Sequence, residues 1–165
     1  MRGGLSVEEV YRRHGHVVQR RAGQILGNDA DAREIVQDLF TSLVERPEQF
    51  DGRSSIVTWL YSATTHLCLN RIRDGNNRAR LLDERVIPAA GASAPPTAER
   101  SVLVRQLLAQ LPDDLATAAV HYYVDEMSHE EIAALMGCSR RHVGNLIERV
   151  ERWSATPEGE ACTAS

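Results

Sequence analysis

The sequence has few of the features that mark secreted, membrane-bound or nucleic-acid-coating proteins. Its 165 residues include three cysteines at wide spacing, so no disulfide framework is expected and a reducing compartment fits. No apolar run is long enough to span a membrane, and the first fifteen residues lack the apolar core of a signal peptide. The formal net charge of -4 argues against a protein that coats nucleic acid through charge alone. We therefore expect a cytoplasmic protein without membrane insertion.

The arrangements that would support catalysis or metal binding are also missing from the sequence. His129 and Glu130 do not begin a zinc-binding H-E-x-x-H motif, because Ala133 stands where the second histidine would be. Cys138 and His142 are four residues apart, but no second ligand pair has metal-site spacing. There is no glycine-rich phosphate loop. The sequence thus predicts a protein that is not an enzyme, with no metal and no cofactor.

What the sequence does contain is helical periodicity along most of its length, without alternating strand patterns. An almost uncharged, proline-rich stretch, VIPAAGASAPPT at residues 86–97, has the composition of a linker. We therefore predict an all-α fold of two small helical domains joined by a flexible linker, the C-terminal one ending in a helix-turn-helix. The expected boundaries are a first domain at 1–80, a linker at 81–98, a second domain at 99–153 and a disordered tail at 154–165.

Local signals predict where several helices begin and end. Asp29 is the expected N-cap of the second helix, whose apolar stripe is expected to extend to Val44. Residues 74–77 (DGNN) are expected to end the third helix, which begins at Ile56. After the linker, Pro112 should separate two helices, the second covering residues 115–124.

The sign of the charge changes within the N-terminal half. Residues 29–51 carry seven acids against two arginines, whereas residues 59–80 carry four arginines against one aspartate. The acidic segment presents Glu34, Gln37 and Asp38 away from its apolar stripe. An acidic surface followed by a basic one is expected if the first meets a protein and the second meets phosphate.

Residues 127–153 (MSHEEIAALMGCSRRHVGNLIERVERW) have the pattern of a helix-turn-helix. Ser128 and Glu131 are spaced as a capping box, Gly137 supplies the turn, and Ser139 is expected to cap the second helix. The second helix has one apolar stripe, which should be buried. This stripe consists of Val143, Leu146, Ile147, Val150 and Trp153.

The opposite face of that second helix carries side chains suited to a DNA major groove, where Arg pairs with guanine and Asn with adenine. Its stripe consists of Arg141, Asn145, Glu148 and Arg152, with His142 and Arg149 along one flank and Arg140 near the N-terminal end. We call these seven residues the reading set. Glu148 is repelled by phosphate, although it could accept a hydrogen bond from a cytosine amine. Gly144 costs a helix about 1 kcal/mol relative to Ala. Its presence indicates either a close approach to DNA or a tolerated weakness. The alternative is an amphipathic helix with solvated charges.

Taken in order, these segments resemble the small two-domain sigma factors of bacterial RNA polymerase, the extracytoplasmic-function (ECF) group of the sigma-70 family. DAREIVQDLF at residues 31–40 is similar to the segment that docks on the coiled coil of the polymerase's largest subunit. TWLY at 58–61 and CLNRIR at 68–73 resemble the helix that helps to open and read the minus-ten element. SHEEIA at 128–133 and MGCS at 136–139 resemble the domain that reads the minus-thirty-five element.

The resemblance implies a transcription initiation factor whose partners are core RNA polymerase, promoter DNA and an anti-sigma factor. It assigns polymerase binding to a docking set, which consists of Asp31, Glu34, Gln37 and Asp38. It assigns minus-ten recognition to a minus-ten set: Phe50, Asp51, Gly52, Arg53, Ser54, Ser55, Trp59, His66, Arg71 and Arg73. Within this set, it assigns capture of a flipped base to the loop at residues 50–55. The reading set would contact the minus-thirty-five element.

The alternative interpretation is a helix-turn-helix DNA-binding regulator, or a sigma-like interaction module without polymerase-dependent initiation. The acidic helix argues against it, because a plain regulator has no need for Glu34, Gln37 and Asp38 on one exposed face. The chain departs from the family's usual sequence at two places that bear on promoter recognition. His66 stands where the family commonly has Asn, and HVGNL at residues 142–146 replaces the usual Thr-Val-Lys-Ser-Arg. The promoter sequence therefore does not transfer.

Overall fold

A computed structural model describes residues 6–82 and 96–156. These residues form α-helices and no strand, which confirms the all-α prediction. The helices are α1 (Val7–Leu26), α2 (Asp29–Glu45), α3 (Ile56–Leu82), α4 (Pro96–Gln110), α5 (Asp113–Ala119), α6 (His129–Met136) and α7 (Arg140–Ser154). A 3-10 turn at Pro47–Gln49 follows α2, and a π-helical turn at Val120–Val124 follows α5. Most of the expected linker, residues 83–95, and of the expected tail, residues 157–165, lies outside the described residues.

The fold divides into two compact units, the first ending at Cys68 and the second beginning at Leu69. The division falls within α3, which runs without interruption from Ile56 to Leu82. The predicted break at residues 74–77 is therefore wrong. Gly and Asn weaken a helix by up to about 1 kcal/mol each, but they leave the backbone hydrogen bonds intact, unlike proline.

The first two helices are joined by a tight turn with a cap on each side. Gly27 ends α1 in the left-handed conformation (φ 73°), and its amide donates to the Gly23 carbonyl at 2.8 Å. Asn28 caps α2, because its side-chain oxygen accepts from the Asp31 amide at 2.7 Å. The expectation that Asp29 is the cap is wrong by one residue, since Asn28 already reaches the free amide.

The core of the first unit lies among α1, α2 and the N-terminal half of α3. Its central cluster consists of Val10, Val18, Val36, Leu39, Phe40 and Leu60. Trp59 packs against this cluster and is half-buried. Val44 does not belong to the core, contrary to the sequence prediction, because its side chain is 64% exposed. It lies at the end of α2, beside the first turns of α1, where an open groove remains.

A buried arginine ties α1 to α3 in the first unit. Arg21 is 3% exposed, and its guanidinium donates to the Tyr61 carbonyl at 3.0 Å and to the Thr65 hydroxyl at 2.7 Å. Its Cζ also lies 4.6 Å from the centroid of the Tyr61 ring, within the range of a cation–π interaction. The position of α3 on α1 therefore depends on polar contacts that no periodicity revealed.

The second unit buries one face of each of its short helices. Its core includes Leu108, Leu111, Leu115, Ala118, Val120, Ile132, Val143, Leu146, Ile147 and Val150. The predicted helix over residues 115–124 is present, but it begins at Asp113 and changes from α-helical to π-helical hydrogen bonding at Val120. His121 and Asp125 pair at 2.8 Å across this turn, with side chains 0% and 4% exposed. The Met127 amide donates to the His121 carbonyl at 3.0 Å, which leads the chain into α6.

Candidate promoter and polymerase interfaces

The docking set lies on α2, but its four members do not share one environment. Glu34, Gln37 and Asp38 are exposed, as the sequence pattern predicts. Asp31 is half-buried at the start of the helix, where its carboxylate accepts from the Asn28 side-chain amide at 2.6 Å. Asp31 therefore supports the N-cap, whereas the other three lie on the exposed surface of α2.

The loop of the minus-ten set, residues 50–55, is held by its own short-range contacts. The Arg53 amide donates to the Asp51 carboxylate at 3.0 Å, and the Arg53 side chain pairs with the same group at 3.1 Å. Gly52 has a φ of 74°, the conformation that allows this turn. Ser55 ends the loop and caps α3, since its hydroxyl accepts from the Thr58 amide at 3.1 Å. Asp51, Gly52, Arg53, Ser54 and Ser55 are all exposed.

Behind this loop lies an open cavity of about 210 Å³, which the fold builds from α2, the 3-10 turn and α3. The lining residues are Leu39, Ser42, Gln49, Trp59, Ala63, His66 and Leu67. Phe50 supports the Trp59 ring edge-on, at a centroid distance of 6.2 Å. The cavity thus combines an aromatic wall with polar groups at its rim, which suits a planar base.

Sequence reasoning missed Ser42 and Gln49 at that rim. The Gln49 side-chain amide donates to the Ser42 carbonyl at 2.8 Å and to the Ser42 hydroxyl at 2.9 Å. It also donates to the Arg46 carbonyl at 3.0 Å, so it fixes the end of α2 against the 3-10 turn. The available signal was Ser42 itself, a polar residue three positions after Leu39 on a face that is otherwise apolar.

The remaining members of the minus-ten set lie along α3. His66 is exposed at the edge of the cavity, and Arg71 is half-buried. Arg73 pairs with Asp113, the first residue of α5, and both belong to the second unit. The structure therefore brings Trp59 and His66 together at one cavity, with Phe50 packed against Trp59, while Arg73 is engaged elsewhere.

The helix-turn-helix has the predicted caps. The Ser128 amide and hydroxyl both donate to the Glu131 carboxylate at 2.8 Å, and the Glu131 amide donates back to Ser128. These hydrogen bonds hold the pKa of Glu131 below its usual range, so the capping box stabilises the fold at neutral pH and loses this contribution as the pH falls. Gly137 makes the turn at a φ of 67°, and Ser139 caps α7 by accepting from the His142 amide at 3.1 Å.

All seven members of the reading set are exposed on α7. Arg140 pairs with Glu130 of α6 at 2.8 Å, and Arg149 lies 3.9 Å from Asp114 of α5, so both belong to the flanks of the helix. The Arg152 side chain donates to the Glu148 carbonyl at 3.4 Å. Arg141 and Asn145 are exposed, and Arg141 forms no ion pair with any residue in the described ranges. They are the members best placed to reach base edges.

Gly144 lies at the edge of the outward face of α7, three positions after Arg141 and four before Glu148. It is half-buried, and the nearest atom to a Cβ built at this position is His129 Nδ1 of α6, at 4.0 Å. The His129 ring in turn lies 5.4 Å from the Tyr122 ring. Gly144 is therefore partly covered by the neighbouring helix and adjoins the reading set, so both explanations of this glycine stay open.

The two units together define a class of protein: a helical, DNA-reading module combined with a second module that offers an acidic surface and an aromatic cavity. Within residues 6–82 and 96–156, no helix is both long and apolar enough to cross a membrane. In the same ranges, no three His, Cys, Asp or Glu residues are grouped as metal ligands.

Comparisons with known proteins agree with this class. The family model of sigma-70 region 2 matches residues 10–78, and that of sigma-70 region 4 matches residues 101–153. The ECF RNA polymerase sigma-E factor of Escherichia coli (strain K12) is 30% identical over 135 residues, which cover 74% of this chain and 69% of that protein. The ECF RNA polymerase sigma factor SigW of Bacillus subtilis is 29% identical over 143 residues, which cover 78% and 74%.

A solved structure shares the fold. The sigma factor RpoE from Bartonella quintana, determined in complex with the anti-sigma factor NepR, aligns with a TM-score of 0.54 over 88% of this chain and 91% of that chain. Its sequence is 17% identical, so the similarity concerns the fold alone.

The chain belongs to the ECF group of the sigma-70 family. It is a transcription initiation factor of the kind that directs RNA polymerase to promoters, and the alternative of a regulator acting without polymerase is not favoured. Its relatives are transcription factors rather than enzymes.

Proposed function

We propose that the two units divide the work of promoter recognition between them. The exposed members of the docking set bind core RNA polymerase. The cavity behind residues 50–55 receives an unstacked base of the minus-ten element, and α7 reads the minus-thirty-five element through Arg141 and Asn145. The protein performs no catalysis of its own and acts in the cytoplasm, where it meets polymerase and DNA.

One observation carries this proposal more than any other. α7 buries Val143, Leu146, Ile147 and Val150 completely or nearly so and leaves every member of the reading set exposed. A helix whose apolar face is already buried within its own unit can present its polar face to a ligand without further rearrangement. The Arg and Asn side chains on that face match the donor and acceptor pattern of the major groove.

Reconstituted transcription tests the proposal directly. Core RNA polymerase is incubated with the purified full chain, and DNA retained by the complex is sequenced from a library of the source genome. We expect enrichment of sites with two conserved elements, followed by specific transcripts when those sites serve as templates. Core polymerase alone is the control. Failure of the chain to bind core polymerase would disprove the proposal.

Regulation by an anti-sigma factor is part of the proposal. The structurally similar RpoE was determined in complex with such a factor. A protein of this kind would restrain the present chain by covering surfaces that polymerase or DNA needs. Purification of the tagged chain from its source cells, with and without polymerase-binding substitutions, is expected to recover a stoichiometric partner that prevents transcription when added back.

A further inference from the structure

A buried polar pair lies in the second unit, at the joint between α5 and the helix-turn-helix. His121 is the second residue of the π-helical turn, and Asp125 is the residue that follows the turn. His121 Nδ1 lies 2.8 Å from a carboxylate oxygen of Asp125, and both side chains are almost completely buried. The pair therefore ties together the two ends of the joint that leads into α6 and α7.

The backbone of this joint departs from regular helix in two ways. The Asp125 amide donates to the Val120 carbonyl at 3.1 Å, so this hydrogen bond spans five residues instead of the four of an α-helix. Glu126 follows in the left-handed conformation, with a φ of 54°, which residues other than glycine adopt only with strain. Local preference does not favour such a backbone, so contacts around it must hold it in place.

A short series of contacts connects the joint to the reading set. The Tyr122 ring of the turn lies 5.4 Å from the ring of His129, the first residue of α6. His129 Nδ1 in turn lies 4.0 Å from the position of a Cβ at Gly144. Gly144 adjoins Asn145 and is three positions after Arg141. A change in the joint would therefore reach α7 at the place from which Arg141 and Asn145 project.

The pair is better suited to fixing a conformation than to adding stability. Burying two polar groups costs much of what their contact returns, so apolar side chains of similar volume are often at least as stabilising. A hydrogen bond, however, forms only within a narrow range of distances and angles. We infer that His121 and Asp125 are positioning residues for promoter recognition. They hold the π-helical turn in one conformation and so set the orientation of α7 toward the bases of the minus-thirty-five element. This inference rests on the proposed function.

The test measures sequence selectivity in the holoenzyme, assembled from core RNA polymerase and the full chain. Its affinity is measured for two duplexes that differ only in the minus-thirty-five element, which is either the selected sequence or a scrambled one. Loss of folded protein lowers both apparent affinities by the same factor. A misplaced α7 loses contacts to bases but keeps contacts to phosphates, so it weakens binding to the selected duplex alone. The ratio of the two Kd values therefore reports the position of α7.

The main variant combines His121→Leu with Asp125→Ala, which removes both members of the pair together. We expect the selectivity ratio to fall about tenfold, as for the loss of one base contact made through two hydrogen bonds. Asp125→Asn is the conservative variant, because its amide oxygen can still accept from His121 Nδ1. We expect its selectivity ratio to stay close to that of the wild type.

Two further variants separate positioning from folding. Val120→Ala is the matched control, because Val120 is fully buried beside His121 in the same turn and its truncation leaves a cavity. Unfolding monitored by Trp153 fluorescence in a Trp59→Phe background should show lower stability, with an unchanged selectivity ratio. Tyr122→Leu removes the ring that meets His129 but leaves the buried pair in place. We expect it to lower the ratio, although less than the main variant does.

Each other outcome contradicts a stated part of this account. If the wild-type holoenzyme does not distinguish the two duplexes, the proposed function fails and the inference fails with it. If the wild type is selective and the main variant keeps its selectivity ratio, the inference alone is wrong. An equal loss of selectivity in Val120→Ala would make the pair merely structural, which also overturns the inference. If the main variant does not fold, an unchanged ratio in Tyr122→Leu overturns it, because the joint then has no effect on α7.

Discussion

In the first unit, the cavity lined by Trp59 and His66 is the proposed minus-ten site, and the side chains around this minus-ten cavity are bound into the fold. Phe50 packs on Trp59, Gln49 is tied to Ser42, and the helix that carries Trp59 is held to α1 by Arg21. In the second unit, the reading set projects from a helix whose position is secured by caps and by an apolar face on its opposite side. The side chains at the cavity therefore also pack the first unit, whereas the reading set projects from a helix whose packing does not depend on it.

This difference predicts how each unit responds to substitution. A change near the minus-ten cavity should alter stability and function together, because the same contacts serve both. A change on the outward face of α7 should alter DNA binding alone, since exposed side chains contribute little to stability. Each unit contains one tryptophan, Trp59 or Trp153, so the two effects can be measured separately in the full chain.

The largest expected effect is loss of the buried Arg21. Arg21→Ala removes the hydrogen bonds of a charged donor to Tyr61 and Thr65 and leaves a cavity, and should destabilise the first unit by about 2–4 kcal/mol. Urea unfolding monitored by Trp59 fluorescence in a Trp153→Phe background measures this change. Arg20→Ala is the matched control, because Arg20 is exposed on the same helix. If Arg21→Ala left the midpoint of urea unfolding unchanged, the claim that the side chains of the first unit's interface also stabilise its fold would be wrong.

Arg21 also shows where sequence reasoning stops. Caps, turns and buried stripes were predictable because they depend on residues three or four positions apart, as for Ser128 with Glu131 and for Val143 with Leu146 and Ile147. Arg21 meets Thr65 across 44 positions, and no local pattern encodes that contact. The same reason explains the exposure of Val44, since the end of α2 lacks a covering partner on α1. Both the burial of Arg21 and the exposure of Val44 depend on contacts between residues far apart in the sequence.

The second prediction concerns the outward face of α7. Arg141→Ala and Asn145→Ala should each weaken binding to the selected promoter duplex by about 1–3 kcal/mol, if each contacts a base through two hydrogen bonds. Unfolding monitored by Trp153 fluorescence should stay within about 0.5 kcal/mol of the wild type. Polymerase binding should not change.

Arg149→Ala provides the contrast on the same helix, because Arg149 lies on the flank near Asp114. It should weaken binding to all duplexes about equally and reduce the salt dependence, as expected for a phosphate contact. Loss of polymerase binding in Arg141→Ala or Asn145→Ala would contradict the division of work between the units.

The smallest effect is a gain in stability at Gly144. Ala is favoured over Gly in a helix by about 1 kcal/mol, and the added Cβ would have only an ordinary contact with His129 Nδ1 at 4.0 Å. Gly144→Ala should therefore stabilise the second unit by up to about 1 kcal/mol, measured by Trp153 fluorescence in a Trp59→Phe background. Duplex affinity should change little, because the position is half-buried beside α6 and the added methyl group is small.

Gly137→Ala is the matched control for that measurement, since it makes the same chemical change in the same unit. Gly137 has a φ of 67°, a conformation that Ala adopts only with strain, so this variant should be destabilised. A gain in stability for Gly144→Ala and a loss for Gly137→Ala would show that α7 is a stable support and that its reading face is independent of its packing. If Gly144→Ala instead lowers duplex affinity while raising stability, the backbone at Gly144 approaches DNA closely, and the reading surface of α7 extends beyond its outward stripe.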